Sequence, residues 1–343
     1  MTTDHWKAAA RAELLELRGN DHVWGYRKGA AAAAEPTALA ALALLASGDD
    51  SAPSRIAAEW LAKMQRSDGS VGIGEGTLSG WMTPHAMQVW AAFPDYTASL
   101  HRGSRWLLGL KGLTLNPKED PAQIAGHDTM LVGWPWVAET HSWLEPTAMA
   151  ILALSRDGFA KHDRVIEGLA VIRNREIAYG GWNYGNKAVF GKALRPQPAP
   201  TGLALLALAG VDTQTRAISR AIDYLTKALP GVRACASLGW GLIGLQAWGV
   251  RPEASESWLL EAYTRVQGKP DAAPKLACLL LAASDRTLSL FGKFSRMSPS
   301  NREGEAPAEP FREGGSAGAS PSRKETNATA RSVITRSSSE TPR

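Results

Sequence analysis

The sequence predicts an all-α protein built as an array of about five helical hairpins, and three observations predict it. Gly-Trp recurs at Gly80-Trp81, Gly133-Trp134, Gly181-Trp182 and Gly239-Trp240, roughly every 50 residues, and a repeat on that scale decides architecture before local detail does. An Ala/Leu-rich stretch accompanies each copy, and a charged amphipathic stretch separates it from the next. No run alternates with period two over a length that would make a strand matter.

The elements follow in order. Trp24-Gly25 precedes "EPTALAALALLASG" at 35 to 48, and "PSRIAAEWLAKMQ" at 53 to 65 carries charge on one face. The next rounds are "TPHAMQVWAAF" with "SLHRGSRWLLGLK", "EPTAMAILALS" with "HDRVIEGLAVIRN", and "APTGLALLALAG" with "TRAISRAIDYLTKAL". The last is "GWGLIGLQAWG", then "EASESWLLEAYTRV" and "PKLACLLLAAS". Pro36, Pro146 and Pro200 sit where a helix begins, since a missing N–H costs nothing in the first turn. Helices apolar nearly all round belong inside and those with one charged face outside. Small residues on the inner set, Ala38, Ala40, Ala41 and Ala43 in one and Ala148, Ala150 and Ala153 in another, permit the close packing that a closed inner ring demands.

Composition sets limits. With 343 residues and 44% hydrophobic content the chain can bury a sizeable core, except from Lys293 onward, where Ser, Gly, Pro, Ala and charge predominate and disorder is expected. That tail holds nine Lys and Arg against six Glu, which leaves 29 basic and 27 acidic residues before it. The pI near 9.2 is therefore no sign of a basic groove on a folded face, and no nucleic-acid partner is expected. Cys235 and Cys278 lie in apolar contexts and read as inert buried thiols. "MTTDHWKAAARAELLEL" lacks the apolar core of a signal peptide, and no apolar run spans a bilayer, so a cytoplasmic protein with at most peripheral membrane contact is expected. The expected organisation is a helical N-terminal extension over 1–19, the helical repeats over 20–290, and the tail over 291–343.

"MQRSDGSVGIG" at 64 to 74 and "EIAYGGWNYG" at 176 to 185 resemble the Gln-x-x-Asp-Gly-Gly-Trp-Gly repeat of squalene cyclases and their relatives, the protein prenyltransferases. The resemblance covers about residues 20 to 290 and implies an (α/α) toroid around a central cavity. Gln65 and Asp68 match, whereas Val71 stands where Trp is expected and Glu176 where Gln is. The same resemblance implies that the Gly-Trp loops are structural, with Trp81, Trp134, Trp182 and Trp240 as packing anchors. Trp136, Trp143 and Tyr184 are free of that constraint and are candidates for lining a cavity.

A terpenoid cyclase of this kind needs a carboxylic acid that protonates its substrate and a dry aromatic cavity that stabilises cations. The family's Asp-x-Asp-Asp-Thr-Ala, laid over Trp143-Leu144-Glu145-Pro146-Thr147-Ala148, places Glu145 on the middle acid and keeps Thr147 and Ala148. The flanking acids become Trp143 and Pro146. Glu35 has the same surroundings, so Glu35 and Glu145 are the candidate catalytic pair across a ring mouth. A carboxylate in a helix first turn is also favourable for helix start alone.

His127, Asp128, Glu139 and His141 fall in one loop, with His141 and Asp128 the candidate ligand contacts there. The prenyltransferase zinc order is absent, because all seven histidines precede Cys235. "GIGEG" lacks the order of a phosphate loop and "CASLG" is not a thioester motif, so no cofactor and no metal is called for. Two functions remain: a terpenoid cyclase- or prenyltransferase-like protein acting on an isoprenoid in the central cavity, and a non-catalytic ring that binds a ligand or serves as a scaffold.

Overall fold

A computed structural model describes residues 3–48, 51–77, 80–115 and 125–292. The elements are α1 (Thr3–Glu16), α2 (Ala34–Ser47), α3 (Ala52–Met64), α4 (Thr83–Trp90), α5 (Thr97–Gly109), α6 (Leu144–Arg156), α7 (Asp163–Asn174), α8 (Pro198–Leu208), α9 (Arg216–Ala228), α10 (Cys235–Ala247), α11 (Ser255–Val266), α12 (Ala273–Ala283) and α13 (Thr287–Phe291). One two-stranded hairpin, β1 (Ala188–Val189) with β2 (Lys192–Ala193), decorates the loop before α8 and turns through Phe190 and Gly191, both at positive φ. Beyond Gly292, the tail expected to be disordered lies outside the described residues.

The even-numbered helices from α2 to α12 form a closed ring, each packed on the next and α12 on α2. Their sequences explain their place: α2, α8 and α10 are among the most apolar, and most residues of each are buried. The tightest seam is α8 on α10. A Cβ at Gly202 would lie 2.1 Å from the Trp240 carbonyl oxygen, and one at Gly244 would lie 2.4 Å from the Gly202 carbonyl oxygen, so the two backbones meet through glycine.

The odd-numbered helices from α1 to α11 lie outside. Among the described residues there are six inner and six outer helices where about five hairpins were expected. The sixth outer helix is α1: Trp6, Ala10 and Leu14 recur at every fourth position, all fully buried, and the helix packs on α11 and α12.

The repeated loop has a repeated bonding scheme. Trp24, Trp134 and Trp182 each donate their indole N–H to a carbonyl at or near the C-terminal end of the preceding outer helix, Leu14, Leu107 and Ile172, at 2.7, 2.8 and 2.7 Å. Their backbone N–H groups donate to Thr37, Thr147 and Thr201 on the following inner helix, at 3.1, 3.0 and 2.9 Å. Each hydroxyl then donates to the same tryptophan's carbonyl. Gly181 is required at this crossing, with φ at +90° and its missing Cβ position 2.7 Å from the Thr201 hydroxyl. In the α3–α4 loop Val71 takes the tryptophan's place, its N–H donating to Thr83 at 2.8 Å.

The two remaining Gly-Trp copies are not anchors of this type. Trp81 precedes α4 and meets His85 and Trp136, while Trp240 lies within α10 and meets Phe291 edge-on. The letters repeat but the register does not, because on α2, α4, α6 and α8 the threonine that accepts the loop's backbone N–H, and not the tryptophan letter, marks the position.

The inner helices run parallel, and their C-terminal ends converge on α13. Ser284 donates to Ala46, Arg156 to both Ser289 and Ala91, and the Gln88 amide, oriented by its partners, to Leu290. Phe291 is fully buried against α10 through Trp240, so that end of the ring is stoppered by side chains.

Candidate functional site

Alignment on the threonines defines which residues share a position. Thr37, Thr147 and Thr201 each donate their backbone N–H to the residue four earlier, and Leu238 and Leu276 do the same on α10 and α12. Thr83 joins them through its bond from Val71. Two residues before this mark stand Glu35, Trp81, Glu145, Ala199, Ala236 and Pro274, and two after it Leu39, His85, Met149, Leu203, Trp240 and Cys278. Four residues separate the two sets, so five of the pairs stack on one helical face, while Trp81 lies just before α4 and meets His85 edge-on. The first set is incompletely buried and rims the ring at its N-terminal mouth; the second is buried and forms the floor beneath it.

Electrostatics agrees with this placement. The Glu145 carboxyl is pushed up to about 7, first by burial and then by the charge of Glu35, which lies two inner helices away. Burial also raises Glu35, while the Tyr26 hydroxyl donates to its Oε2 at 2.5 Å and pulls the other way. Tyr26 is raised in turn, by burial and then by that carboxylate. The floor feels the same charges: burial pushes the Cys278 thiol far up, and Glu35 and Glu145 add to it. Burial lowers His85 to about 4, so its imidazole is neutral at physiological pH.

The first-turn position of both acids would favour their anions, yet burial dominates. The backbone N–H of Leu144 is capped by the Tyr184 carbonyl at 2.8 Å, and that of Ala34 by the Ile73 carbonyl at 2.8 Å. Those donors are thus already occupied by carbonyls of neighbouring loops. A neutral carboxylic acid on the rim can donate a proton, and one position of the same rim belongs to an aromatic pair. The pair is Trp81 and Trp136, edge-on with centroids 4.6 Å apart.

The other expected residues are dispersed. Trp143 is half-buried against Gly185, where an added Cβ would lie 2.8 Å from its ring. Tyr184 contributes its carbonyl to α6 and leaves its ring exposed. Asp128 is exposed, its carboxylate accepting the Met130 N–H at 2.8 Å. His141 is also exposed, its Nδ1 3.3 Å from the Leu113 carbonyl oxygen. His127 is buried with Nδ1 3.1 Å from the Ala125 carbonyl oxygen, and Glu139 sits in a turn at positive φ. Among the described residues no three His, Cys, Asp or Glu side chains are grouped to hold a metal.

Sequence reasoning missed Tyr26, Trp81 and His85 as mouth residues. The Thr-aligned register would have found Trp81, since "WMT" then matches "EPT". A cavity of about 540 Å³ opens near the opposite end, lined by Ile151, Leu152, Arg156, Leu169, Val211 and Phe291 among others, and contains none of the rim or floor residues.

No protein-family model matches the chain, and no curated protein does either. Solved structures do. A protein from Actinoplanes matches with a TM-score of 0.56 and 14% identity over 84% of this chain and all of that one. A variant of the type II terpene cyclase MstE from Scytonema, in complex with its substrate geranylgeranyl dihydroxybenzoate, matches with a TM-score of 0.57 and 16% identity, covering 84% of this chain and 98% of that one. A second variant, in complex with the product merosterolic acid A, matches with a TM-score of 0.56 at 16% identity, covering 84% and 97%. The chain therefore has the helical toroid fold of type II terpene cyclases.

Proposed function

We propose that the protein is a terpene cyclase-like enzyme that takes an isoprenoid into the mouth of the ring and transfers a proton to it from Glu145. The observation that carries this reading is the state of Glu145: it stands on the rim, its burial favours the protonated form, and the charge of Glu35 on the same rim reinforces that state. MstE, which shares the fold, binds a geranylgeranyl substrate, and an aromatic pair that includes a rim residue suits a carbocation. An acid with a pKa near 7 is a weak donor. It favours a substrate group more basic than an isolated alkene, such as an epoxide oxygen, over a plain polyene.

Among the described residues no helix is long and apolar enough to cross a membrane. Phe190, Val189 and Tyr184 are exposed on the loop between α7 and α8, on the mouth side, and suit peripheral contact with the lipid that would deliver such a substrate to a cytoplasmic protein. The alternative, a ring that holds a ligand without chemistry, is favoured by one feature: Trp143 and Pro146 flank Glu145 where acids would strengthen it.

The test is turnover of geranylgeranyl dihydroxybenzoate, squalene and 2,3-epoxysqualene in deuterated buffer. The expected result is a cyclised product, with one non-exchangeable deuterium where an alkene carbon is protonated and with a new, exchangeable hydroxyl where an epoxide oxygen is; it is lost in Glu145→Gln while tryptophan fluorescence still reports binding. Product that survives Glu145→Gln removes Glu145 from the chemistry. Binding without turnover in the wild type selects the scaffold reading.

A further inference from the structure

At the end of the ring opposite the acids, one cavity has an apolar wall with a single charge on it. It measures about 540 Å³, within the range of about 300–1,000 Å³ of small-molecule sites, and lies between α6, α7, α13 and the C-terminal end of α8. Leu100, Ile151, Leu169, Val211 and Phe291 give the wall its apolar character. Among the described residues Arg156 is the only charged side chain on it.

Arg156 has no anion there. Its guanidinium donates to the Ser289 and Ala91 carbonyls, which orient two of its five N–H groups without neutralising the charge. The carboxylates beside the wall are engaged elsewhere. Asp157 accepts from Ser104 at 2.6 Å and meets His101 at 2.8 Å, and Asp212, next to Val211, pairs with Arg173. Among the described residues no carboxylate pairs with Arg156, and burial pushes its pKa down with no charge to offset it. A cation in the last turn of α6 suits the helix dipole. That accounts for a basic residue at this position, but not for one turned onto an apolar wall, where an unpaired charge is costly.

The other clefts differ. The one of about 670 Å³ between α1 and the loop after α11 carries Glu13, Glu16, Lys28 and Lys269, so both signs are present within it. The smaller clefts likewise mix acids with bases.

We propose that this cavity is a second binding site, separate from the mouth, for an amphipathic monoanion: a straight-chain carboxylate whose head pairs with Arg156 and whose chain lies against Ile151, Leu169 and Phe291. One cation on the wall suits one negative charge, and a guanidinium takes a carboxylate through two parallel N–H···O bonds. Ser155 adds a hydroxyl at the same end of α6. A diphosphate would bring further charges that nothing on the wall answers.

The experiment titrates octanoate and octanol, which share a chain and differ in the head, into the full chain at pH 7 and follows binding by calorimetry. The wild type is expected to prefer octanoate about tenfold, the margin of a charge-assisted hydrogen-bonded pair. Arg156→Met should lose that preference while still binding octanol, and Arg156→Lys should keep part of it. Leu169→Trp, which fills the cavity and leaves Arg156 in place, should weaken both probes. Neither Arg156 nor Leu169 is a rim or floor residue, so the outcome is independent of the chemistry at the mouth. No binding of octanoate by the wild type overturns the proposal, as does equal affinity for the two probes, a preference that survives Arg156→Met, or undiminished binding in Leu169→Trp. Where Arg156→Met does not fold, the wild-type preference and the Leu169→Trp titration decide.

Discussion

Replacing Glu145 with Gln tests the electrostatics of the mouth without needing a substrate. The carboxyl titrates near 7 in the folded protein against an ordinary 4.5. A group whose folded-state pKa is raised binds its proton more tightly when folded, so stability falls as pH rises between the two values. Below about 4.5 both states hold the proton and Glu145 contributes no penalty; above about 7 the full penalty applies. The interval of about 2.5 pH units, at about 1.4 kcal/mol each, gives a cost of about 3 kcal/mol at pH 8. Gln keeps the shape and cannot ionise. The variant should therefore match the wild type near pH 4.5 and exceed it by up to about 3 kcal/mol at pH 8, roughly 6 °C in Tm for a chain of this size. Thermal melts of both proteins from pH 4.5 to 8 read the difference, in which the other titrating groups cancel. Adding Glu35→Gln to both should make the penalty level off at a lower pH and a smaller value without abolishing it, because burial is the larger cause and the charge of Glu35 the smaller. A difference that stays flat across pH 5 to 8 would falsify the premise that Glu145 is desolvated, and the proposed proton donor with it.

Two further substitutions test the architecture around the site. Thr147→Val removes the hydroxyl that accepts from the Trp134 backbone N–H and leaves that buried donor unpaired; chemical denaturation should show a loss of about 1–3 kcal/mol, and no loss would mean the loop is held by something else. Phe291→Ala empties the stopper under Trp240 and should cost about 3–5 kcal/mol, against little change if Phe291 were not packed into the ring.

The inner helices were legible because burial on every side leaves no polar face to blur the composition, as in "PTALAALALL" and "PTGLALLALAG". Glu35 and Glu145 were legible for the same reason, as identical letters before identical helices. What escaped was register. Gly80-Trp81 looks like Gly133-Trp134, but Trp134 bonds back to the outer helix whereas Trp81 lies two residues before Thr83, on the rim. His85 and Cys278 share no letters with Leu39 or Met149, so nothing local marks them as a common floor. The ring role of α1 was equally hidden, since its partners are α11 and α12, at the far end of the sequence. Only closure brings them together.

The rim also explains why two acids in equivalent positions differ in chemistry. Glu35 and Glu145 share a backbone site, a following proline and threonine, and a carbonyl cap from the next loop. They differ in what touches the carboxyl. Tyr26 donates to Glu35 and favours its charged form, whereas among the described residues Glu145 has no such donor and feels the charge of Glu35 instead. A hydrogen bond to one member of a like-charged pair lowers that member and, through the charge so fixed, raises the other. Tyr26 thus sets which of the two carries the proton. The division of labour across the rim comes from a residue outside the repeated "EPTA", and Tyr26→Phe would narrow the gap between the two acids even though Tyr26 does not touch Glu145.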